Sequence, residues 1–224
     1  LYCSAHKIMT VADRRARERE QLRQRILDTA RELFIAHGYE GVTLRKIANA
    51  IEYSPGTIYG YFKDKDELLR ALCMADFEAF EKSLPREFAS SDPLDAMRAI
   101  GAAYVRFALG HPNQYRLMFM TPKPAVMNEF DEEVLAKRGD PARDGYALLL
   151  HVVRTAIDGN LLRDRFSNAE VVAQTLWAGV HGMASLEIAM ASNPWLQWAP
   201  REERINAMLD AMVNGLAAGG AEPA

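Results

Sequence analysis

An all-α fold is what this sequence predicts. Apolar residues recur at helical spacing almost everywhere, strand-like two-fold alternation is nearly absent, and caps and prolines punctuate the chain about one helix apart. The pattern resolves into a group of short helices near the N-terminus and a longer helical region after it.

Leu22, Ile26, Ala30, Leu33 and Phe34 share one helical face, and Gly38 supplies a stop after it. Thr43 is an N-cap for a short helix through Leu44, Ile47, Ala48 and Ile51. Ser54-Pro55 reads as N-cap plus N1 proline and opens a second short helix through Phe62. Asp64 with Glu67 three residues on opens a longer helix to Leu84, and Pro85 ends it. Asp92-Pro93 opens a helix through Tyr104 and Phe107, and His111-Pro112 starts another carrying Tyr115, Leu117, Met118 and Phe119. Residues 121–139 read as a loop with room for a helical turn. Asp140-Pro141 opens a helix to Ile157, which Asp158-Gly159-Asn160 stops. Ser167 to Glu170 reads as a capping box for a helix to Ala191 that is apolar nearly all round. Asn193-Pro194 breaks it, and Pro200 opens the last helix, through Leu216.

Composition bounds the function. Hydrophobic residues make up 49% and charged residues 25%, ordinary for a soluble globular protein. No apolar run approaches the roughly 20 residues of a membrane span, and no signal-peptide pattern is visible. The chain opens on Leu1, so residues 1–8 read as a leader ahead of Met9. Cys3 lies in that leader, which leaves Cys73 alone: no disulfide framework, and a reducing cytoplasm as the expected setting. Net charge is −3 but uneven. Residues 13–70 hold 12 Lys/Arg against 10 Asp/Glu, while residues 71–224 hold 14 against 20. That asymmetry turns the N-terminal third toward an anionic partner. Asp13 to Arg25 is charge-rich with both signs, and reads as a solvated helix start whose arginines can reach DNA as an arm.

Two short helices between longer ones describe a helix-turn-helix. The second, Pro55 to Phe62, is unusual for a core helix. Ile58 and Phe62 are its buried candidates, while Ser54, Gly56, Thr57, Tyr59 and Tyr61 give a face of small residues and hydroxyls. Such a face lets backbone sink into a major groove and donate to phosphates and base edges. From the residues alone, an amphipathic connector helix explains the same pattern.

Residues 26–69 resemble the DNA-binding domain of the TetR family. The resemblance runs through Ile26 to Phe34, Gly38-Tyr39, Thr43 to Ala48, Ser54 to Tyr59, Tyr61-Phe62 and Lys65 to Leu69. It implies a dimeric repressor whose third helix enters the major groove. Thr43 then caps its helix against a phosphate; Arg45, Ser54, Pro55, Gly56 and Thr57 face bases or phosphates; Tyr59 and Tyr61 touch the backbone; and Lys65 pairs with a phosphate. Two pairs of positions depart from the pattern. The turn commonly has glycine where Glu52 stands, followed by an aliphatic residue where Tyr53 stands, which predicts an altered turn. A basic residue often occupies the position of Gly60, and histidine that of Tyr61, which predicts a shallower salt dependence.

His111 to Phe119 and Trp177 to Gly182 are similar to the two signatures of one TetR subgroup, and imply its regulatory fold. The domain plan is then residues 1–19 leader or N-terminal arm, 20–66 helix-turn-helix domain, 67–218 helical ligand-binding and dimerisation domain, and 219–224 tail. The helices at 168–191 and 202–217 are expected to form the homodimer. Tyr104, Phe107, Tyr115, Met118, Phe119, Trp177 and His181 are the expected lining for a small hydrophobic or aromatic effector. Core packing explains most of these residues equally well, and His181 also reads as a satisfied core or interface histidine. The helix from Asp64 to Leu84 is expected to connect sensing to operator DNA.

No enzyme reading survives. None of the five histidines forms HExxH, and no GxSxG, P-loop or CxxC is present. Cys73 reads as a buried structural thiol, and Trp195 and Trp198 as packing at a helix corner. No catalytic residue, cofactor, metal or membrane is expected. The competing non-enzyme class is a non-inducible architectural DNA binder; it predicts a basic charge over the whole chain, against the acidic remainder.

Overall fold

In the computed structural model the described residues are 10–86, 92–122, 124 and 132–219. Residues 1–8 and most of the 219–224 tail lie outside them. The described structure is all-helical, with one isolated antiparallel bridge between Leu162 and Ala217. It divides into two units, Leu1–Ala75 with Arg116–Asn128, and Asp76–Tyr115 with Glu129–Ala224.

The first unit is built on α1 (Val11–His37), α2 (Leu44–Ala50), α3 (Pro55–Tyr59) and the first half of α4 (Lys65–Ser83). α1 starts earlier than the apolar periodicity suggests. Thr10 and Asp13 form a reciprocal capping box: Asp13 N–H donates to Thr10 Oγ1 at 3.1 Å and Thr10 N–H to Asp13 Oδ2 at 3.0 Å. The expected N-terminal arm is therefore helical from Val11. The core is mostly aliphatic: Ile26, Leu27, Ala30, Val42, Ile47, Ala48, Ile58 and Leu72 are essentially inaccessible, with Phe34 among them. α4 is capped as expected, Glu67 N–H donating to Asp64 Oδ1 and Lys63 N–H to Glu67 Oε2, each at 2.7 Å.

The second unit packs α5 (Pro93–Gly110), α8 (Gly145–Asp158), α9 (Ala169–Met190) and α10 (Arg201–Leu216) around one another, with short α6 (Pro112–Tyr115) and α7 (Glu132–Leu135). α6 runs on into a π-helical turn, Arg116–Met120, which belongs to the first unit. Gly101 lets α5 approach closely; a Cβ there would lie 2.6 Å from Leu209 Cδ2 and 3.2 Å from Val180 Cγ1.

Two helix starts differ from the sequence reading. α8 opens at Gly145, not at Pro141, because the Asp144 carboxylate accepts from the Tyr146 and Ala147 amides while Asp140 is spent in a preceding turn. α9 is capped by Asn168 rather than Ser167; Val171 N–H donates to Asn168 Oδ1, and Glu170 turns to Tyr146 and Arg154. Asn side chains cap as well as serine, so a Ser-Asn pair leaves the register open by one residue.

Candidate nucleic-acid interface and regulatory core

The helix-turn-helix is fixed at each corner by a named bond. Thr43 Oγ1 accepts from Lys46 N–H at 3.2 Å and opens α2; Ser54 Oγ accepts from Thr57 N–H at 3.2 Å and opens α3. Each cap is worth about 1 kcal/mol. Between them Glu52 takes the left-handed conformation, φ 61°, and the Tyr53 amide reaches back to Ala48 C=O at 3.0 Å. The turn thus keeps the shape that glycine would allow more cheaply, correcting the expectation that Glu52 alters it. A non-glycine residue there costs about 1 kcal/mol.

This geometry presents the predicted interface residues unequally. Thr43, Arg45, Ser54, Gly56 and Tyr59 are exposed, and Tyr59 keeps 58% of its surface. Pro55 is half-buried at the first position of α3, and the Thr57 hydroxyl lies 3.0 Å from that of Ser54. Gly56 leaves bare backbone; a Cβ added there would meet nothing nearer than Ser54 Oγ at 3.7 Å. Ile58 points inward with no exposure, which turns the small and hydroxylic face outward. Tyr61 is half-buried beneath the Arg19 guanidinium, 5.3 Å from its ring centroid. Lys65 folds onto Tyr39, donating to its carbonyl at 2.9 Å with the ammonium 3.7 Å from the ring centroid. An ammonium has three donors, so this contact does not exhaust it.

The residues expected around an effector separate. Tyr104, Phe107, Tyr115, Trp177 and His181 belong to the second unit; Met118 and Phe119 fall in the first, on the π-helical turn. Tyr104 and Tyr115 are buried and meet at His181. Trp177 Nε1–H donates to Tyr104 Oη at 3.2 Å, Tyr104 O–H to Tyr115 Oη at 3.3 Å, and Tyr115 Oη lies 2.6 Å from His181 Nδ1. That order of donors satisfies every hydroxyl if the imidazole proton sits on Nε2. Tyr104 Oη is also 3.1 Å from His181 Nδ1, so two hydroxyls face one acceptor. Phe80 closes the shell edge-on against Tyr104 and Phe107, at 5.5 and 5.2 Å between centroids. Burial pushes both tyrosine hydroxyls up in pKa and His181 down, which favours the neutral imidazole that an acceptor must be.

This network is only partly legible in the sequence. Aromatic content singles out its members, but their convergence depends on α5, α6 and α9 meeting. A buried ion cluster carries no sequence signal at all: Glu187, 5% exposed, takes Arg201 Nε at 2.8 Å and also pairs with Arg204, whose guanidinium stacks 4.5 Å from the Trp198 ring centroid. Trp198 is thus packing, as its place at a helix corner suggests, whereas Trp195 is 91% exposed. Cys73 is buried. Among the described residues no group of three His, Cys, Asp or Glu is arranged to hold a metal, and no helix is long and apolar enough to cross a membrane.

Known proteins share both halves of this arrangement. Residues 26–72 match the family described as bacterial regulatory proteins, tetR family, and residues 97–215, more than half of the chain, match the tetracyclin repressor-like C-terminal domain. That second match does not single out the subgroup whose signatures the sequence resembles. The transcriptional regulator TcmR of Streptomyces glaucescens is 37% identical over 83 residues, 37% of either chain. The transcriptional repressor AcnR of Corynebacterium diphtheriae is 44% identical over 54 residues, 24% of this chain and 28% of that one. The chain thus aligns with between 28% and 37% of these relatives' length. The crystal structure of a TetR family transcription regulator from Marinobacter aquaeolei VT8 superposes with a TM-score of 0.68 at 20% identity, covering 90% of this chain and 98% of that one, a likeness of fold.

Proposed function

This chain belongs to the TetR family of bacterial regulatory proteins, and we propose that it is a dimeric transcriptional repressor, released from a palindromic operator by a small apolar effector. The observation that carries the DNA reading is the outward face of α3, with bare backbone at Gly56, hydroxyls at Ser54 and Thr57, and an exposed Tyr59. Thr43 and Arg45 at the start of α2, with Tyr61 and Lys65, frame that face for phosphates. Shared family membership and the relatives described as regulators and repressors support regulation rather than catalysis.

The dimer is assigned to the helices at 168–191 and 202–217. On α9 the stripe Val171, Thr175, Ala178, Gly182 and Leu186 faces away from the unit's core, with Val171 58% and Leu186 50% exposed. Beside it, Ala207, Ala211 and Gly215 of α10 are exposed as well. Small residues allow close helix approach, and an apolar face of this kind needs covering. Two-fold symmetry then gives two recognition helices and a near-palindromic site.

The effector site is placed at the Tyr104–Tyr115–His181 network, with Phe107 and Trp177, all within the second unit; the expected lining residues Met118 and Phe119 belong to the first. Polar tips converging inside an aromatic shell suit an apolar ligand with one oriented polar group. A cytoplasmic setting follows from the regulatory role.

The test is selection of duplexes from a random library, followed by anisotropy titration at physiological salt. The reading expects an enriched near-palindrome with half-sites one helical turn apart, bound by a two-fold dimer at least about 1,000-fold more tightly than random DNA. Equal affinity for selected and random duplexes overturns it and favours the architectural alternative.

A further inference from the structure

α1 is 27 residues long, yet its first buried residue is Ile26. Residues 11–21 are exposed all round and rest on no core. They hold their helix by the Thr10–Asp13 capping box and by composition, being rich in Ala, Arg, Glu and Gln, all strong helix formers. Charge on this extension is sorted. Arg15, Arg19 and Arg23 stand four residues apart and so form one stripe with successive steps of about 6 Å. Asp13 and Glu20 fall on another face of the helix, and the ion pairs Arg14–Glu18 at 3.7 Å and Arg23–Glu20 at 4.0 Å are long and exposed.

The stripe continues the line of Leu22 and Ile26, the side of α1 that packs on the rest of the first unit. It therefore arrives at the end of α3. The Arg19 guanidinium lies 5.3 Å from the Tyr61 ring centroid and that of Arg23 lies 5.6 Å from Phe62. A guanidinium held over a ring in this way still has N–H donors left for an anion.

We propose that Arg15 and Arg19 of the α1 extension bind the DNA phosphates flanking each half-site, as a second, sequence-independent contact beside the recognition helix. The partner is duplex DNA because the stripe sets arginines at one-turn steps along a single helix face, and because Arg19 shares Tyr61 with the reading face. The inference rests on α3 being that face. Each dimer thereby gains four phosphate contacts, two per protomer, outside the base pairs that α3 spans.

The test compares the wild-type protein with Arg15→Ala/Arg19→Ala. Both positions are exposed and alanine is the best helix former, so helicity by circular dichroism should be unchanged. Each protein is titrated onto the selected operator with long flanks and onto the same operator trimmed at both ends, across about 50 to 200 mM salt. Wild type should weaken on trimming and the variant should not. On the long duplex the wild-type salt slope should be steeper by about 0.9 per contact, or roughly 3 to 4 for four contacts. Over that salt range the wild type then loses roughly 100-fold more affinity than the variant. The variant should still separate operator from random DNA, since phosphates carry no sequence information. Identical slopes, with equal sensitivity to trimming, overturn the proposal. A wild type that cannot tell operator from random DNA overturns the α3 reading instead, and the slope and trimming results still decide this one.

Discussion

The two units fill their interiors differently. The first is closed by aliphatic side chains with well-defined rotamers, such as Ile26, Ile47, Ile58 and Leu72, and its polar groups cap helices at the surface. The second buries the hydroxyls of Tyr104 and Tyr115 against a half-buried imidazole between α5, α6 and α9, and an ion cluster at Glu187. A close-packed aliphatic core specifies one arrangement. A core in which two tyrosines face one histidine nitrogen has more than one way to satisfy its donors. The contrast supports the proposed division of labour, a rigid DNA reader in the first unit and an adaptable sensor in the second.

The sharpest way to break that contrast is to leave a void in the reader. Ile47 has no exposure, so Ile47→Ala should cost about 2–5 kcal/mol and lower the thermal midpoint accordingly. A loss below about 1 kcal/mol would mean this core repacks as freely as the sensor's. In the second unit Tyr115→Phe removes one hydroxyl. Tyr104 Oη, already 3.1 Å from His181 Nδ1, can take over as donor. The cost should fall at the low end of the roughly 1–3 kcal/mol for an orphaned buried group, and denaturant melts of both variants make the comparison.

A pH series sharpens the comparison further. Burial holds His181 below its ordinary pKa, so the folded protein binds that proton more weakly than the unfolded chain. Stability from this group is complete above about 6.5, the unfolded value, and is lost as pH falls through the depressed folded value. His181→Asn should flatten the stability profile below about pH 6.5; an unchanged profile would place the titration elsewhere. The smallest effect is expected at the turn between α2 and α3. Glu52→Gly relieves the left-handed backbone and should stabilise by up to about 1 kcal/mol, measured by the same melts. Destabilisation would indicate that the Glu52 side chain contributes more than its backbone costs.

The reader is legible in the sequence because its signals are local. Thr43, Ser54-Pro55 and Asp64 with Glu67 each announce a helix start within four residues, and the structure uses them all. The Thr10–Asp13 box is equally local but sits ahead of any apolar periodicity, so periodicity places the start of α1 too late. Where two caps compete, as with Ser167 and Asn168 or Asp140 and Asp144, the local sequence offers both, and the structure uses Asn168 and Asp144. The aromatic residues and the histidine of the second unit are recognisable as types, but not as a network. Tyr104, Tyr115 and His181 come from three helices, and the separation of Met118 and Phe119 from them depends on a π-helical turn with no composition signal.

The claim that an adaptable core governs a rigid reader is tested most directly by reciprocal linkage. An apolar compound shown to bind at the Tyr104–Tyr115–His181 network, by its loss of affinity for Tyr115→Phe, is titrated against the wild-type protein with and without operator. The account predicts that operator weakens the compound's binding and that the compound weakens operator binding by the same factor, typically about 5- to 150-fold. Equal affinity of the compound in the presence and absence of operator would contradict it.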